Sequence, residues 1–199
     1  LSSVQGRTVV ATMLLAGIAI NAIAGAGTGV LVYLADDDQL RDLTFWTLGS
    51  FGGSSWEDIK LGVAFVAFPC IACVRLARPL NVILLGEAEA QMLGVNIQQL
   101  KYIVVTLVCV MVGTSVALCG MIGFVGLVVP HLCRLMFGPD HRKVISGSAL
   151  LGATLLLGAD LVSRLVISPA ELPIGIVTSV IGGPFFLALL ARDKQRGLW

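Results

Sequence analysis

The chain has 199 residues, of which 57% are hydrophobic and only 13% charged, with a formal net charge of +1. Soluble domains carry about a quarter charged residues, so this composition excludes an ordinary soluble globular domain and points to a polytopic membrane protein. The near-zero charge by itself names no partner, and no nucleic-acid role is expected.

Residue 1 is Leu, and no signal peptide precedes the first apolar run. The chain therefore reads as the C-terminal portion of a longer one. Val9 to Ala35 is uncharged and long enough to cross a bilayer, for which about 20 residues suffice. Its Gly25-Ala26-Gly27-Thr28-Gly29 stretch offers a small-residue face for close helix approach, and Asp36-Asp37-Asp38 ends it. Leu40 to Trp56 mixes aromatics, glycines and hydroxyls. Trp46 and Trp56 suit a membrane boundary, so a short interfacial helix followed by a turn is expected.

Lys60 to Val74 is the core of a second span, with Pro69 expected to kink it and Pro79 to stop it. The longest polar-bearing interruption follows, from Arg78 to Lys101. Glu87 to Leu93 reads as a short helix of good formers. Gly94 stands where a helix end wants a left-handed residue, and Asn96 suits the cap of a second short helix. Two short helices with a glycine hinge make a compact knob that another protein can grip.

Tyr102 to Gly138 fits two tightly joined spans turning at Gly120, Gly123 and Gly126. Val144 to Val166 is a fifth span, in which Asp160 and Arg164 have the favourable acid-first helical spacing. Ile174 to Leu190 is the last, with Gly182-Gly183-Pro184 expected to break it. The reading is an all-α membrane protein with six spans near 9–35, 59–76, 102–120, 123–138, 144–166 and 174–191, and a coupling segment at 79–101. If Arg7, the 75–101 loop, the 134–143 loop and the C-terminus share one side, that side holds ten of the 13 Lys and Arg residues. The positive-inside rule makes it cytoplasmic.

No nucleotide-binding loop, zinc-protease or hydrolase motif is present. No residue is a catalytic candidate, and no metal site is expected. His131 and His141 lack partners at metal-ligand spacing and suit polar packing. The cysteines, Cys70, Cys73, Cys109, Cys119 and Cys133, lie in apolar runs and read as small buried hydrophobes. Asp160 is the one acid well inside a span; a proton relay is the sharp reading, and neutralisation by Arg164 the plainer one.

The ordered motifs Gly123-Phe124-Val125-Gly126-Leu127-Val128-Val129-Pro130-His131, Asp140-His141-Arg142, Ala159-Asp160, Arg164 and Glu171-Leu172-Pro173-Ile174-Gly175-Ile176-Val177-Thr178 resemble the FecCD family. Leu80-Asn81, Leu85-Gly86-Glu87 and Leu93-Gly94-Val95, with Trp46, Gly49 and Trp56, match it too. FecCD proteins are permease subunits of ABC importers for iron–siderophores, haem and cobalamin. They have ten spans, so the resemblance implies that this chain holds the last six. It implies that Gly86, Glu87, Ala88, Ala90, Leu93 and Gly94 couple to a separate cytoplasmic ATPase, which uses the ATP. It implies that Arg164 and Glu171 dock a periplasmic binding protein. Gly17, Asn21, Gly175, Thr178 and Gly182 would line the translocation path at the axis of a permease homodimer in the inner membrane, with no cofactor bound by this subunit.

The expected function is thus import of haem or another iron chelate by ATP-driven alternating access, with a ferric siderophore or cobalamin as the alternative cargo. The Thr44-Phe45-Trp46-Thr47-Leu48-Gly49-Ser50 stretch looks more like haem permeases. From a different class stand an ion-coupled secondary carrier using Asp160 and a membrane scaffold without transport.

Overall fold

The computed structural model describes residues 3–4, 7–8, 10–52, 55–166 and 172–195. The chain divides into two units, Leu1–Thr44 and Phe45–Trp199. In the first, Ser3–Val4 (β1) and Arg7–Thr8 (β2) form a two-residue antiparallel ribbon that the composition gave no reason to expect. Val10–Leu34 (α1) follows. Its 25 residues give a rod of about 37 Å, enough for the ~30 Å hydrocarbon core. Within this unit, Cβ atoms added at Gly25, Gly27 and Gly29 would meet open space. Asp37–Leu48 (α2) carries Asp37 and Asp38 in its first turn, where the helix dipole favours acids. This is the short helix expected beside the aromatics.

The second unit begins in the last turn of α2 and contains Trp56–Ile83 (α3), Glu87–Met92 (α4), Ile97–Cys119 (α5), Val125–Phe137 (α6), His141–Val166 (α7) and Ile174–Gln195 (α8). A capping box starts α3: Ser55 Oγ accepts the Asp58 N–H, and Asp58 Oδ2 accepts the Ser55 N–H. The Ser-x-x-Asp pattern at 55–58 announces this start in the sequence. The helix then runs through Pro69 and on through Pro79, ending at Ile83 rather than stopping before Pro79. A proline disfavours helix at the preceding residue without forbidding it. The turn after Pro79 is held by tight bonds from the Leu84, Leu85 and Gly86 N–H groups to the Asn81, Val82 and Ile83 carbonyls.

α3 and α5 lie antiparallel. A Cβ at Gly62 would overlap the Leu118 side chain, so the absent methyl lets the two helices close. α6 and α7 form a second antiparallel pair around Val129, Cys133 and Val144, with Gly147 against Cys133 and Phe137. Ala159 of α7 packs on Ile174 and Val177 of α8. Elsewhere the outer faces are apolar and bare, including Phe65, Phe68, Ile71, Leu150, Leu157 and Leu161. Such a surface is at home in lipid, where a helix satisfies its own interior backbone groups. Of the cysteines only Cys133 is buried; Cys70, Cys73 and Cys119 are half-buried and Cys109 is exposed, so the expectation of five buried thiols holds for one.

Among the described residues, α1, α3, α5 and α7 are long and apolar enough to cross a membrane. α6 has 13 residues, about 20 Å, shorter than the span expected near 123–138. α8 covers the span expected near 174–191, and its described apolar part reaches Ala188. α8 also runs unbroken through Gly182-Gly183-Pro184, since a membrane helix tolerates the single freed carbonyl.

One end of this unit is a junction of backbone on backbone. Met121 N–H donates to the Trp46 carbonyl (3.2 Å), Ser50 N–H to Cys119 (2.9 Å), and Ile174 N–H to Gly49 (3.0 Å). Gly49 and Gly120 have φ of +74° and +72°, a region that costs other residues roughly 1–2 kcal/mol. A Cβ at Gly120 would collide with the Trp46 carbonyl, and one at Gly175 with the Leu48 carbonyl. Gly175→Ala is expected to destabilise the full-length protein by about 1–3 kcal/mol, as overpacking does. Gly113→Ala, whose new methyl enters open space, should change stability by no more than about 0.5 kcal/mol. Thermal unfolding of the two purified variants in one detergent compares them.

Candidate functional site

At the opposite end, the segment between α3 and α5 builds the knob. Gly86, at φ +123°, turns the chain out of α3. α4 is a helix of only six residues and needs its ends fixed. Its C-terminus closes as a Schellman motif: Val95 N–H donates to the Ala90 carbonyl and Gly94 N–H to Gln91, both at 3.0 Å. Gly94 supplies the left-handed step at φ +83°, with open space where a Cβ would go. Asn96 Oδ1 then accepts the Gln99 N–H and starts α5. The expected second short helix is therefore the first turn of a 23-residue one. Once Asn96 has capped it, the apolar run from Ile103 gives the helix no reason to stop.

Ala90 is fully buried, with Ile97 and Leu100 nearly so, which fastens the inner face of the knob. Lys101 Nζ meets Glu87 Oε1 at 2.7 Å across the hinge. The pair is exposed and worth no more than about 1 kcal/mol; it orients more than it holds. The outer face is apolar. Leu85 is 66%, Met92 89% and Leu93 64% exposed, and Ala88 is exposed beside them. The sequence reading placed Gly86, Glu87, Ala88, Ala90, Leu93 and Gly94 here. It passed over Leu85 and Met92, whose signal is an apolar side chain inside a polar loop.

The knob's root is pinned to the α6–α7 loop by a clamp that sequence reading did not assign. Asn81 Nδ2 donates to Asp140 Oδ1 at 2.6 Å, and Asn81 Oδ1 accepts the His141 N–H at 2.7 Å. The His141 ring Nδ1 lies 2.9 Å from the same oxygen. Asp140 also accepts the Arg142 N–H, serving as the cap of α7. The Asn81 hydrogen bond, then that of Arg142, hold the Asp140 carboxyl below the usual carboxylate range. No spacing rule links residues 59 apart; only the fold brings them together.

The other candidates divide by unit. Gly17 and Asn21 share one face of α1 at helical spacing, and both are exposed. Gly175, Thr178 and Gly182 share one face of α8, all buried. Thr178 Oγ1 donates to the Gly175 carbonyl. Gly182 lies against Phe124, whose φ of +65° marks the start of α6. Thr178 and Gly182 also line a small apolar cavity of about 70 Å³ with Phe124, Val129 and Leu155. Arg164 Nε reaches Asp160 Oδ2 at 2.9 Å in the last turns of α7, the pairing that the spacing anticipates. Glu171 lies outside the described residues.

The second unit is thus a bundle closed through glycines, with a short knob of apolar outer face at one end. The profile of the FecCD transport family matches residues 1–192, and the chain belongs to that family. It is 46% identical over 191 residues to the hemin transport system permease protein HmuU of Yersinia pestis, covering 96% of this chain and 57% of that protein. It is 43% identical over 185 residues to the vitamin B12 import system permease protein BtuC of Klebsiella pneumoniae, covering 93% and 56%. A solved structure described as a metal-chelate-type ABC transporter in an inward-facing conformation superposes with a TM-score of 0.86 at 34% identity, over 92% of this chain and 59% of that one. The chain thus spans somewhat over half the length of these relatives.

The Asp140 carboxyl titrates low because the folded state binds its charged form. The clamp's stability is therefore fully present above the ordinary carboxylate value and is lost as pH falls through the lowered folded-state value. Hydrogen exchange at the start of α7 should stay slow from pH 7 into the ordinary carboxylate range and accelerate only below it. Asn81→Ala should make exchange there fast at pH 7, and Asp140→Asn should remove the acid-side dependence.

Proposed function

We propose that this chain is the membrane-embedded part of a permease subunit of a binding-protein-dependent ABC importer that carries haem or another iron chelate across the inner membrane. The observation that carries the reading is the knob. Its ends are fixed by the Schellman closure and the Asn96 cap, its root by the Asn81–Asp140 clamp, and its outer face offers Leu85, Met92 and Leu93. A rigid apolar grip is what a separate motor needs in order to do mechanical work on a bundle. Gly86, Glu87, Ala88, Ala90, Leu93 and Gly94 would couple to the ATPase, and ATP would be spent there.

The basic residues of the second unit support a cytoplasmic knob. Arg75, Arg78, Lys101, Arg134, Arg142 and Lys143 lie at the knob end, whereas Lys60 and Arg164 lie toward the junction end. The junction end would then face outward, where Arg164 and Glu171 meet a periplasmic binding protein. One guanidinium has five donors, so Arg164 can serve Asp160 and a partner carboxylate together. Gly17, Asn21, Gly175, Thr178 and Gly182 would line the path formed with a second copy of the subunit.

Haem is favoured as cargo by the identity to the hemin permease and by the Thr44–Ser50 stretch; a ferric siderophore or cobalamin is the alternative. The Asp160–Arg164 ion pair supports the plainer reading of Asp160, an acid matched by the guanidinium one turn on, over a proton relay.

Reconstitution of the full-length permease with its ATPase tests this. Met92→Asp with Leu93→Asp should leave folding intact and reduce ATP-driven uptake by at least tenfold. Gly94→Val, strained by roughly 1–2 kcal/mol, should uncouple ATP hydrolysis from uptake. Undiminished ATP-driven uptake with the knob scrambled, or uptake driven by a proton gradient without ATP, would reject the reading. Comparing haem, a ferric siderophore and cobalamin in the same vesicles assigns the cargo.

A further inference from the structure

α3 carries no charge from Leu61 to Val74, then presents Arg75 and Arg78 one turn apart. On α7, Arg142 and Ser146 stand four residues apart, on one face, before that helix's own apolar run. The Asn81–Asp140 bond fixes the ends of the two helices together. Val74, Arg75, Arg78, Arg142 and Ser146 thereby line a cleft of about 510 Å³, within the ~300–1,000 Å³ of small-ligand sites. Among the described residues, none of these three arginines has an ion-pair partner. The acid beside Arg142, Asp140, is engaged by Asn81 and the Arg142 N–H. Ser146 gives its proton to the Arg142 carbonyl, so the donors facing the cleft are guanidinium groups.

Three like charges around one opening call for an anion. Guanidinium forks match phosphate oxygens two at a time. The cleft also has an apolar flank: Ile71 and Val74 are exposed on the same face of α3 as Arg75 and Arg78, at helical spacing. A ligand with an anionic head and a long apolar tail fits both parts, and basic pockets between membrane helices take such headgroups. We propose that this cleft binds the phosphate of an anionic phospholipid through Arg75, Arg78 and Arg142, with the acyl chains lying along Ile71 and Val74. The site is separate from the knob's apolar face and does not depend on the identity of the cargo.

Thermal unfolding of the full-length permease in neutral detergent, titrated with phosphatidylglycerol, phosphatidylcholine or inorganic phosphate, tests this. Phosphatidylglycerol should raise the unfolding midpoint saturably and phosphatidylcholine should not. The double change Arg75→Gln and Arg142→Gln should raise the half-saturating concentration about 30-fold, from the usual contribution of each basic residue near a lipid surface. Arg75→Lys with Arg142→Lys should recover most of that loss. If the double variant fails to fold, Arg78→Gln alone should reduce the phosphatidylglycerol retained in native mass spectra about fivefold. Equal response of wild type and variants to phosphatidylglycerol would overturn the site. Saturation by inorganic phosphate, with no further gain from lipid, would overturn the lipid as its source.

Discussion

The second unit depends on backbone meeting backbone without a side chain between. Where Trp46 to Ser50 cross Cys119 to Met121 and the start of α8, three hydrogen bonds join separate segments of the chain. They exist because Gly49, Gly120 and Gly175 have no Cβ to hold the strands of chain apart. Lipid supplies no hydrophobic drive between helices, so close packing and satisfied polar backbone carry more of the association than in water. A non-helical connector within a membrane protein must have its N–H and C=O groups taken up, and here neighbouring segments take up the N–H groups of Ser50, Met121 and Ile174.

The far end follows a different logic. The clamp and knob are built from side chains and caps, each small in energy and specific in direction. Asn81 reads two groups of the α6–α7 loop at once, and the loop's acid starts α7 while it accepts from Asn81. The helices between the two ends close through Gly62 under Leu118 and Gly147 against Cys133 and Phe137. Little inside the bundle is polar. Ser163 and Thr178 are buried, and each hydroxyl returns to a carbonyl of its own helix.

Much of this was legible because local chemistry decides it. The apolar runs read from Val9, Lys60, Tyr102 and Val144 announce the long helices, and Gly94 and Asn96 announce the knob's two caps. The Asp160–Arg164 pair follows from spacing alone. Prolines misled in both directions expected of them: Pro79 and Pro184 sit within helices that continue, because tertiary neighbours and lipid leave a helix few better alternatives. α6 is short for a reason no window reveals, since Phe124 in a left-handed conformation delays its start to Val125. The clamp was illegible for a different reason: Asn81 lies in α3 and Asp140 in the distant α6–α7 loop, and each alone looks like an ordinary polar residue near a turn.

The knob closes a helical hairpin whose two arms, α3 and α5, run antiparallel and touch along their length at Gly62 and Leu118. A load on its tip is shared by both arms, so it acts as a torque on a stiff fork and not as a pull on a single rod. The fork's other end, at Cys119 and Gly120, is bolted to α8 through the Trp46–Gly49 crossing. Knob, hairpin and the start of α8 are thereby linked into one frame.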